Sequence, residues 1–585
     1  MIESFVESIS ELYNIILQPI DACYKKIAVD NYKNALGIDK GTSFGQKYYE
    51  LNEYKKVNGA VYTPKEAAEY IVKNTVNEND IIKNPYLKIL DPACGVGNII
   101  IPCFKYLKSI FLKNLNVINT NNKLNINIQN VDKHIIENNI YAFDIDETAL
   151  KILQIDIFAM CGHINKKNFV KQDFLIQELK SKYDVIIGNP PYIGHKSVDK
   201  DYTRILKSMY KSVYKDKGDI SYCFFEKSID NLKNDGKLTF ITSRYFIESP
   251  SGENLRRLLA NNTVIHKIID FHGIRPFKGV GIDPVIVFLE NKKDENYNVE
   301  ILKPLKNKYR DRKLFIDGLF SNDYGKIKRF YMESCYLKSD SWILIDKGER
   351  KILDKIQNKT LYTLKGISRS YQGIITGCDK AFVVDRESIA GEKLETSIIR
   401  PWIKSSFIRK GEIVKEDKFL IYADFIDDEK DYPHIINHIE KYKDKLVNRR
   451  ECKNGIRKWF ELQWGRNSDI FESKKIIFPY KSNDNRFALD SGSYFSADVY
   501  ALVLNQDFEM SYEYILSLLN SKLYEFYFKT FAKKLGESLF EYYPNNLMKL
   551  RIPIIKGVKS VNDDILNEYF NITPKEEKII NAYTE

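Results

Sequence analysis

Asn189-Pro190-Pro191-Tyr192 follows the apolar run Tyr183-Asp184-Val185-Ile186-Ile187-Gly188, which reads as a buried strand of a parallel sheet. Two consecutive prolines remove two backbone donors and fix two φ angles, so the chain must leave the sheet there. Each also biases the residue before it toward extended geometry. The product is a stiff turn where the Asn189 side-chain oxygen and the backbone carbonyls converge, with the Tyr192 ring free to stack on something flat. Acceptors beside an aromatic face suit an exocyclic amino group on a ring. A proline turn followed by a core tyrosine would give the same tetrapeptide without any chemistry, so its neighbours must decide.

A second group lies upstream. Asp91-Pro92-Ala93-Cys94-Gly95-Val96-Gly97-Asn98 comes after the strand-like Ile89-Leu90 and before an apolar helical pattern. Glycines at 95 and 97 permit a tight strand-to-helix turn and close approach of a ligand. The missing third glycine argues against a dinucleotide fingerprint, and no Gly-Lys-Ser/Thr follows for a phosphate loop. Asp144, in Ala142-Phe143-Asp144-Ile145-Asp146, and Asp173, in Asp173-Phe174, end later strand patterns. Alone, each aspartate reads as a cap. In this order, each after a strand, they mark the ligand-binding end of a doubly wound sheet. Val61-Tyr62-Thr63-Pro64 opens a helix, with Thr63 as the expected N-cap and Pro64 at the first helical position.

The elements that must hold these residues are legible as an alternation of strand and helix patterns from Tyr62 to about Leu289. Ile89-Leu90, Ile140–Phe143, Val185–Ile187, Leu238–Ile241 and Val285–Phe288 are the expected strands. Asn114 to Asn130 reads as a surface insertion, and the charged segment 290–297 as a boundary. Residues 1–60 form a helical arm, with Phe5, Ile9, Leu12 and Ile16 on one face. The expected division is arm 1–60, α/β domain 61–300, and a mixed α+β domain 301–585 where the alternation is lost. With only about sixty residues ahead of the α/β region, a fused nuclease domain is not expected there.

With 585 residues, 44% hydrophobic and 29% charged, the chain is expected to be a soluble, multidomain, cytoplasmic protein with no membrane span. Its eight cysteines include no C-x-x-C pair, so no metal site is expected. Positive charge is concentrated: residues 441–481 hold twelve lysines and arginines against five acids, a surplus of seven, within a chain whose net charge is +11. Aromatics interleave with them, a pattern suited to phosphates and bases.

The glycine turn resembles the first motif of class I S-adenosylmethionine-dependent methyltransferases, which implies a Rossmann-like fold and that cofactor. The resemblance implies that Asp91 faces the methionine amino group. It places Ala93, Gly95, Gly97 and Asn98 around the nucleoside, and Asp144 with Ile145 at the ribose. Asp173 and Phe174 then meet the adenine ring, while Tyr62 and Thr63 lie over the methionine end beside Asn189. The motif order is similar to that of γ-class amino-methyltransferases of DNA. Three further stretches, 371–380, 449–459 and 495–500, resemble the CamA-like family of clostridial orphan adenine methyltransferases.

That resemblance implies transfer to N6 of an adenine flipped out of double-stranded DNA, in an A-rich asymmetric site of CAAAAA type. Asn189 and Pro190 would accept the amino hydrogens, Tyr192 would stack on the base, and Phe277 would touch it from another side. Arg449, Arg450, Arg457, Lys458, Trp459, Lys481 and Arg486 are the expected DNA contacts. Gln372 and Asn485 are candidates for bidentate contacts to adenine. No obligate protein partner is implied. RNA amino-methylation and protein glutamine methylation are the alternatives, the latter disfavoured by the long basic second half.

Overall fold

The computed structural model describes residues 2–39, 41–52, 63–194, 197–215, 218–275, 283–305, 312–321, 323–338, 341–414, 417–506, 508–536 and 538–584. The chain divides into two units, Met1–Leu344 and Ile345–Glu585. In the first, the strands are β1 (Ile89–Asp91), β2 (Ile140–Asp144), β3 (Phe169–Lys171), β4 (Tyr183–Gly188), β5 (Leu232–Ser243), β6 (Val264–Asp270), β7 (Pro284–Glu290), β8 (Asn298–Pro304) and β9 (Ile327–Glu333). They form one sheet in the order β3-β2-β1-β4-β5-β7-β6-β8-β9.

β3, β2, β1, β4 and β5 are parallel, and β7 enters antiparallel between β5 and β6. Ile89 of β1 pairs with Ile140 on one side and Val185 on the other. Strand order therefore reverses between β1 and β4, where sheets of this kind open a ligand crevice. Val185, Ile186 and Ile187 are buried on both faces, which is why that strand reads as an unbroken apolar run.

The helices around the site are α1 (Ile2–Leu17), α2 (Ala22–Ala35), α3 (Phe44–Asn52), α4 (Lys65–Thr75), α5 (Glu78–Lys83), α6 (Ile100–Asn122), α7 (Val131–His134) and α8 (Glu147–Cys161). Phe5, Ile9, Leu12 and Ile16 form the buried face of α1, against Ile152, Ile155 and Phe158 of α8. The N-terminal arm thus braces the α/β core. Asp146 caps α8 by accepting from the Thr148 and Ala149 N–H groups, and Gly162 ends it in the left-handed region.

Two expectations are corrected. The first half of the asparagine-rich stretch, expected as a surface insertion, is helical: α6, kinked at Asn114, continues to Asn122. Asn119 exchanges hydrogen bonds with the Ile126 backbone, and the Asn122 side chain donates to the carbonyls of Ile82 and Ile118. Asparagine amides satisfy the helix end that its sequence seemed to break. The boundary near residue 300 also moves, because β8 pairs with β6 and β9 with β8, and the first unit continues to Leu344.

The second unit is mixed α+β. Ser368–Gln372, Val499–Leu504, Lys475–Pro479 and Ala488–Asp490 form one antiparallel sheet. Val383–Val384, Phe419–Ile421, Ile399–Ile403 and Tyr494–Phe495 form another. Trp402, Ile421, Ile477, Phe495 and Ala501 from the two sheets share one core. Among the described residues, no helix is long and apolar enough to cross a membrane.

Candidate active site

Asp173, Asp144, Asp91 and Asn189 stand at or just beyond the carboxyl ends of β3, β2, β1 and β4, four neighbouring strands. Parallel pairing puts all four on one rim of the sheet. Gly188 completes the approach: a Cβ there would lie 3.0 Å from Asp91 Oδ1 and 3.3 Å from Pro92 Cδ. A larger residue would push the end of β4 away from the acid. Sequence reading passed over this glycine, since nothing in a strand pattern distinguishes it.

Asp91 is 2% exposed, and its Oδ1 accepts the Ala93 N–H at 3.1 Å. Burial pushes its carboxyl up to about 8, against the Ala93 hydrogen bond and helped by the nearby Asp144 charge. Asp144 accepts the Gly95 N–H at 2.7 Å through Oδ2 and the Asp146 N–H at 2.9 Å through Oδ1. Burial raises its carboxyl too, opposed by those two N–H groups. A carboxylate has about four lone-pair sites, so Asp144 keeps about two for a ligand. Asp173 accepts the Leu175 N–H at 2.9 Å and the Tyr202 hydroxyl at 2.8 Å.

The glycine turn behaves as expected, with Gly95 at φ +52° and Gly97 at φ +91°. A Cβ at Gly97 would collide with the Leu153 side chain. Ala93 and Asn98 are half-buried within the turn, and Ile145 is 68% exposed. Phe174 departs from expectation. It is buried and stacks on Phe224 with centroids 5.4 Å apart, a core pair and no open platform for a ring.

At the Asn-Pro-Pro-Tyr turn, Asn189 Nδ2 donates to Thr63 Oγ1 at 3.0 Å, and the Tyr192 hydroxyl donates to Asn189 Oδ1. The same hydroxyl lies 3.2 Å from the Ile241 carbonyl. Tyr192 is only 7% exposed, so its ring is not presented for stacking as the sequence reading held. A buried phenol needs an acceptor, and Asn189 supplies it. Thr63 also departs from expectation. Helix α4 starts at Lys65 with Pro64 in the cap position and no side-chain cap, while Thr63 is buried with its hydroxyl on Asn189. Pro190 is buried beside them. Tyr62 and Phe277 lie outside the described residues.

In the second unit the expected contacts separate. Arg449 is buried and donates to the carbonyls of Leu446, Thr376, Trp459 and Glu461. It is an internal brace, not a phosphate ligand. Asn485 is 1% exposed, donating to the Leu519 carbonyl and accepting from the Tyr542 hydroxyl. Both corrections have one cause: a polar residue in a basic run can serve buried carbonyls as well as a partner. Arg450, Lys458 and Lys481 are exposed. Arg457 pairs with Asp424 at 3.0 Å, and Arg486 with Asp484 at 2.6 Å. Trp459 is half-buried with the Lys443 ammonium 4.5 Å from its ring centroid. Gln372 accepts from Arg466 Nη2 at 3.0 Å and donates weakly to the Ala497 carbonyl. Arg466, exposed and left-handed at φ +67°, was not singled out.

Comparison with known proteins gives this rim a context. Residues 121–277 match the Eco57I restriction-modification methylase family, and residues 408–554 match the TaqI-like C-terminal specificity domain. The chain is 28% identical over 559 residues to the type II methyltransferase M.HindII of Haemophilus influenzae, covering 88% of this chain and 94% of that one. The chain is a DNA methyltransferase similar to the type II restriction-modification enzymes. Against the type II methyltransferase M.BstVI of Geobacillus stearothermophilus, this methyltransferase is 22% identical over 408 residues, covering 66% of its length and 71% of the relative. The DNA complex of the type IIL restriction-modification enzyme MmeI shares its fold with TM-score 0.55 at 14% identity, over 81% of this chain and 64% of the other.

The first unit of the methyltransferase is the class I catalytic fold and the second carries the specificity domain. The methyl donor is S-adenosylmethionine. The rim fits such a group: a buried acid for a cationic amine, a carboxylate with spare lone pairs for hydroxyls, and a glycine turn that a Cβ at Gly97 would spoil.

Proposed function

We propose that the protein transfers a methyl group to N6 of an adenine flipped out of duplex DNA. The observation that carries this reading is the Thr63–Asn189–Tyr192 arrangement at the end of β4, beside Asp91. By donating Nδ2 to Thr63, the Asn189 amide keeps Oδ1 as its acceptor. Oδ1 and the Pro190 carbonyl are then two acceptors for the two hydrogens of one amino group.

S-adenosylmethionine supplies an electrophilic sulfonium methyl when bound. Asp91 holds its ammonium, Asp144 its ribose hydroxyls and Asp173 its adenine amino group. The target nitrogen is conjugated into its ring and is a poor nucleophile as it stands. Hydrogen bonds from both N–H groups to Asn189 and Pro190 favour a tetrahedral nitrogen whose lone pair is released for attack. No strong base is required to start the attack, because positioning and electrostatics provide most of the effect. As the N–C bond forms the sulfur–methyl bond breaks, a neutral thioether is the leaving group, and the methylated nitrogen sheds its surplus proton to solvent. The hydroxyl of Tyr192 must give up Oδ1 as the amino group arrives. It carries one hydrogen and has the Ile241 carbonyl as a second acceptor, so the exchange leaves no buried donor unmatched.

Extrusion of the base costs about a few kcal/mol. Exposed Arg450, Lys458 and Lys481 support that cost through phosphate contacts. The CamA-like stretches of the second half favour an A-rich site of CAAAAA type and an orphan, epigenetic role. The decisive experiment incubates the protein with methyl-labelled S-adenosylmethionine and, separately, duplex DNA, single-stranded RNA and protein. We expect N6-methyladenine in duplex DNA, with CAAAAA duplexes preferred over scrambled ones. Label in RNA or protein alone would overturn the reading.

A further inference from the structure

The arm before residue 53 is more than a brace. Helix α3 begins with the Phe44 and Gly45 N–H groups on the two carboxylate oxygens of buried Asp156, each at 3.0 Å. That anchor brings α3 down onto the glycine turn. A Cβ at Gly45 would come within 2.8 Å of Val96 Cγ2, so only glycine allows this approach. Val96 is the residue between Gly95 and Gly97, and it shares a core with Phe5, Ile9 and Phe44 of the arm.

One turn further on, two tyrosines reach the ligand side. The Tyr48 hydroxyl donates to Asp146 Oδ2 at 3.1 Å, two residues beyond Asp144. The Tyr49 hydroxyl lies 3.2 Å from where a Gly95 Cβ would stand. Among the described residues other than Gly95 and its chain neighbours Cys94 and Val96, no other atom comes within 4 Å of that point. The space that Gly95 leaves for a ligand is therefore faced by one phenol from the arm.

We propose that α3 forms the outer wall of the cofactor pocket, with Tyr49 a binding residue for S-adenosylmethionine. Its partner is an oxygen of the ribose, because Gly95, over which it stands, is itself tied by its N–H to Asp144. This rests on the assignment of Asp144 to the ribose. A phenol donates one hydrogen and also accepts, so it suits a sugar oxygen.

The test measures dissociation constants by calorimetry on the full chain, without DNA. One hydrogen bond is worth about 0.5–1.5 kcal/mol, so Tyr49→Phe is expected to weaken S-adenosylmethionine binding about two- to tenfold. Gly45→Ala, which lifts α3 from Val96, should weaken it at least as much. The same Tyr49→Phe penalty is expected with 5′-methylthioadenosine, which keeps the ribose and lacks the amino acid. Wild-type affinity in Tyr49→Phe, or a penalty that vanishes with 5′-methylthioadenosine, overturns the inference. Asp144→Asn separates the two levels of argument. If it loses affinity while Tyr49→Phe does not, the wall is wrong and the ribose assignment stands; if neither loses affinity, both fall.

Discussion

Cofactor binding should move protons, and the amount follows from Asp91. With its carboxyl pushed up to about 8, Asp91 is about nine-tenths protonated at pH 7 in the ligand-free protein. A free α-amino group has a pKa of about 7.7–8.0, so the methionine end is about one-seventh deprotonated at that pH. Meeting as carboxylate and ammonium therefore releases about three-quarters of a proton per cofactor at pH 7. The sign follows from the same two groups. Well below pH 7 release approaches about one proton, and affinity rises about tenfold per pH unit. Near pH 8 the two demands cancel, and above it binding takes protons up, so affinity falls again. Asp144, also raised by burial, adds to release at the acidic end. Isothermal titration in two buffers of different ionisation enthalpy, at pH 7 and pH 9, reads this directly. Asp91→Asn should abolish the release at pH 7 while leaving uptake at pH 9. Identical heats in both buffers at pH 7 would refute the ion-pair assignment for Asp91.

Asn189→Ala should eliminate methyl transfer while cofactor and DNA dissociation constants stay within about twofold, a pattern checked by single-turnover assays beside equilibrium binding. Thr63→Val removes the acceptor that orients Asn189, at a cost of about 1–2 kcal/mol in the transition state; kcat should fall about 5- to 30-fold with KM for cofactor unchanged, and Thr63→Ser should restore it. Thermal melts will distinguish the arginines: Arg449→Ala strands four carbonyls and should cost about 2–4 kcal/mol of stability, visible as a drop of several degrees. Lys458→Ala and Lys481→Ala should leave the melt alone and each lower the slope of log affinity against log salt by about one.

Residues that end strands were legible because strand, turn and acid recur in a fixed order. Asp91, Asp144, Asp173 and Asn189 all fall on the rim that this pattern implied. Partners across the fold were not legible. Thr63 before Pro64 looks like a cap from its neighbours alone, and its bond to Asn189 spans 126 residues. Tyr192 looked available because a loop aromatic usually is, yet its hydroxyl had two acceptors waiting in the interior. Phe174 sits beside Asp173, an acid on the rim, but its ring packs on Phe224 from a distant helix. In the basic stretch, charge count gave the overall electrostatics and could not sort Arg449 from Arg450. One is buried among carbonyls and the next is in solvent, a difference set by tertiary packing.

The pairing of Tyr192 with Asn189 bears on how the pocket discriminates. A buried acceptor left without a donor costs about 1–3 kcal/mol, and the phenol removes that cost while no base is present. An arriving group must therefore bring a hydrogen of its own to displace the phenol. On the proposed reading, an unmethylated amino group brings two, one for Asn189 and one for the Pro190 carbonyl. A keto oxygen brings none and sets acceptor against acceptor, which excludes the O6 edge of guanine and the O4 edge of thymine at this turn. The methylated product brings only one, so it holds the pocket less well than the substrate, and Tyr192 can reclaim Oδ1 as it leaves. Cytosine, and guanine through its 2-amino group, would satisfy the same two acceptors, so on the proposed reading a preference for adenine has to come from contacts to the rest of the ring. On the proposed reading the turn at the end of β4 selects the amino group, and the surrounding walls select the base that carries it.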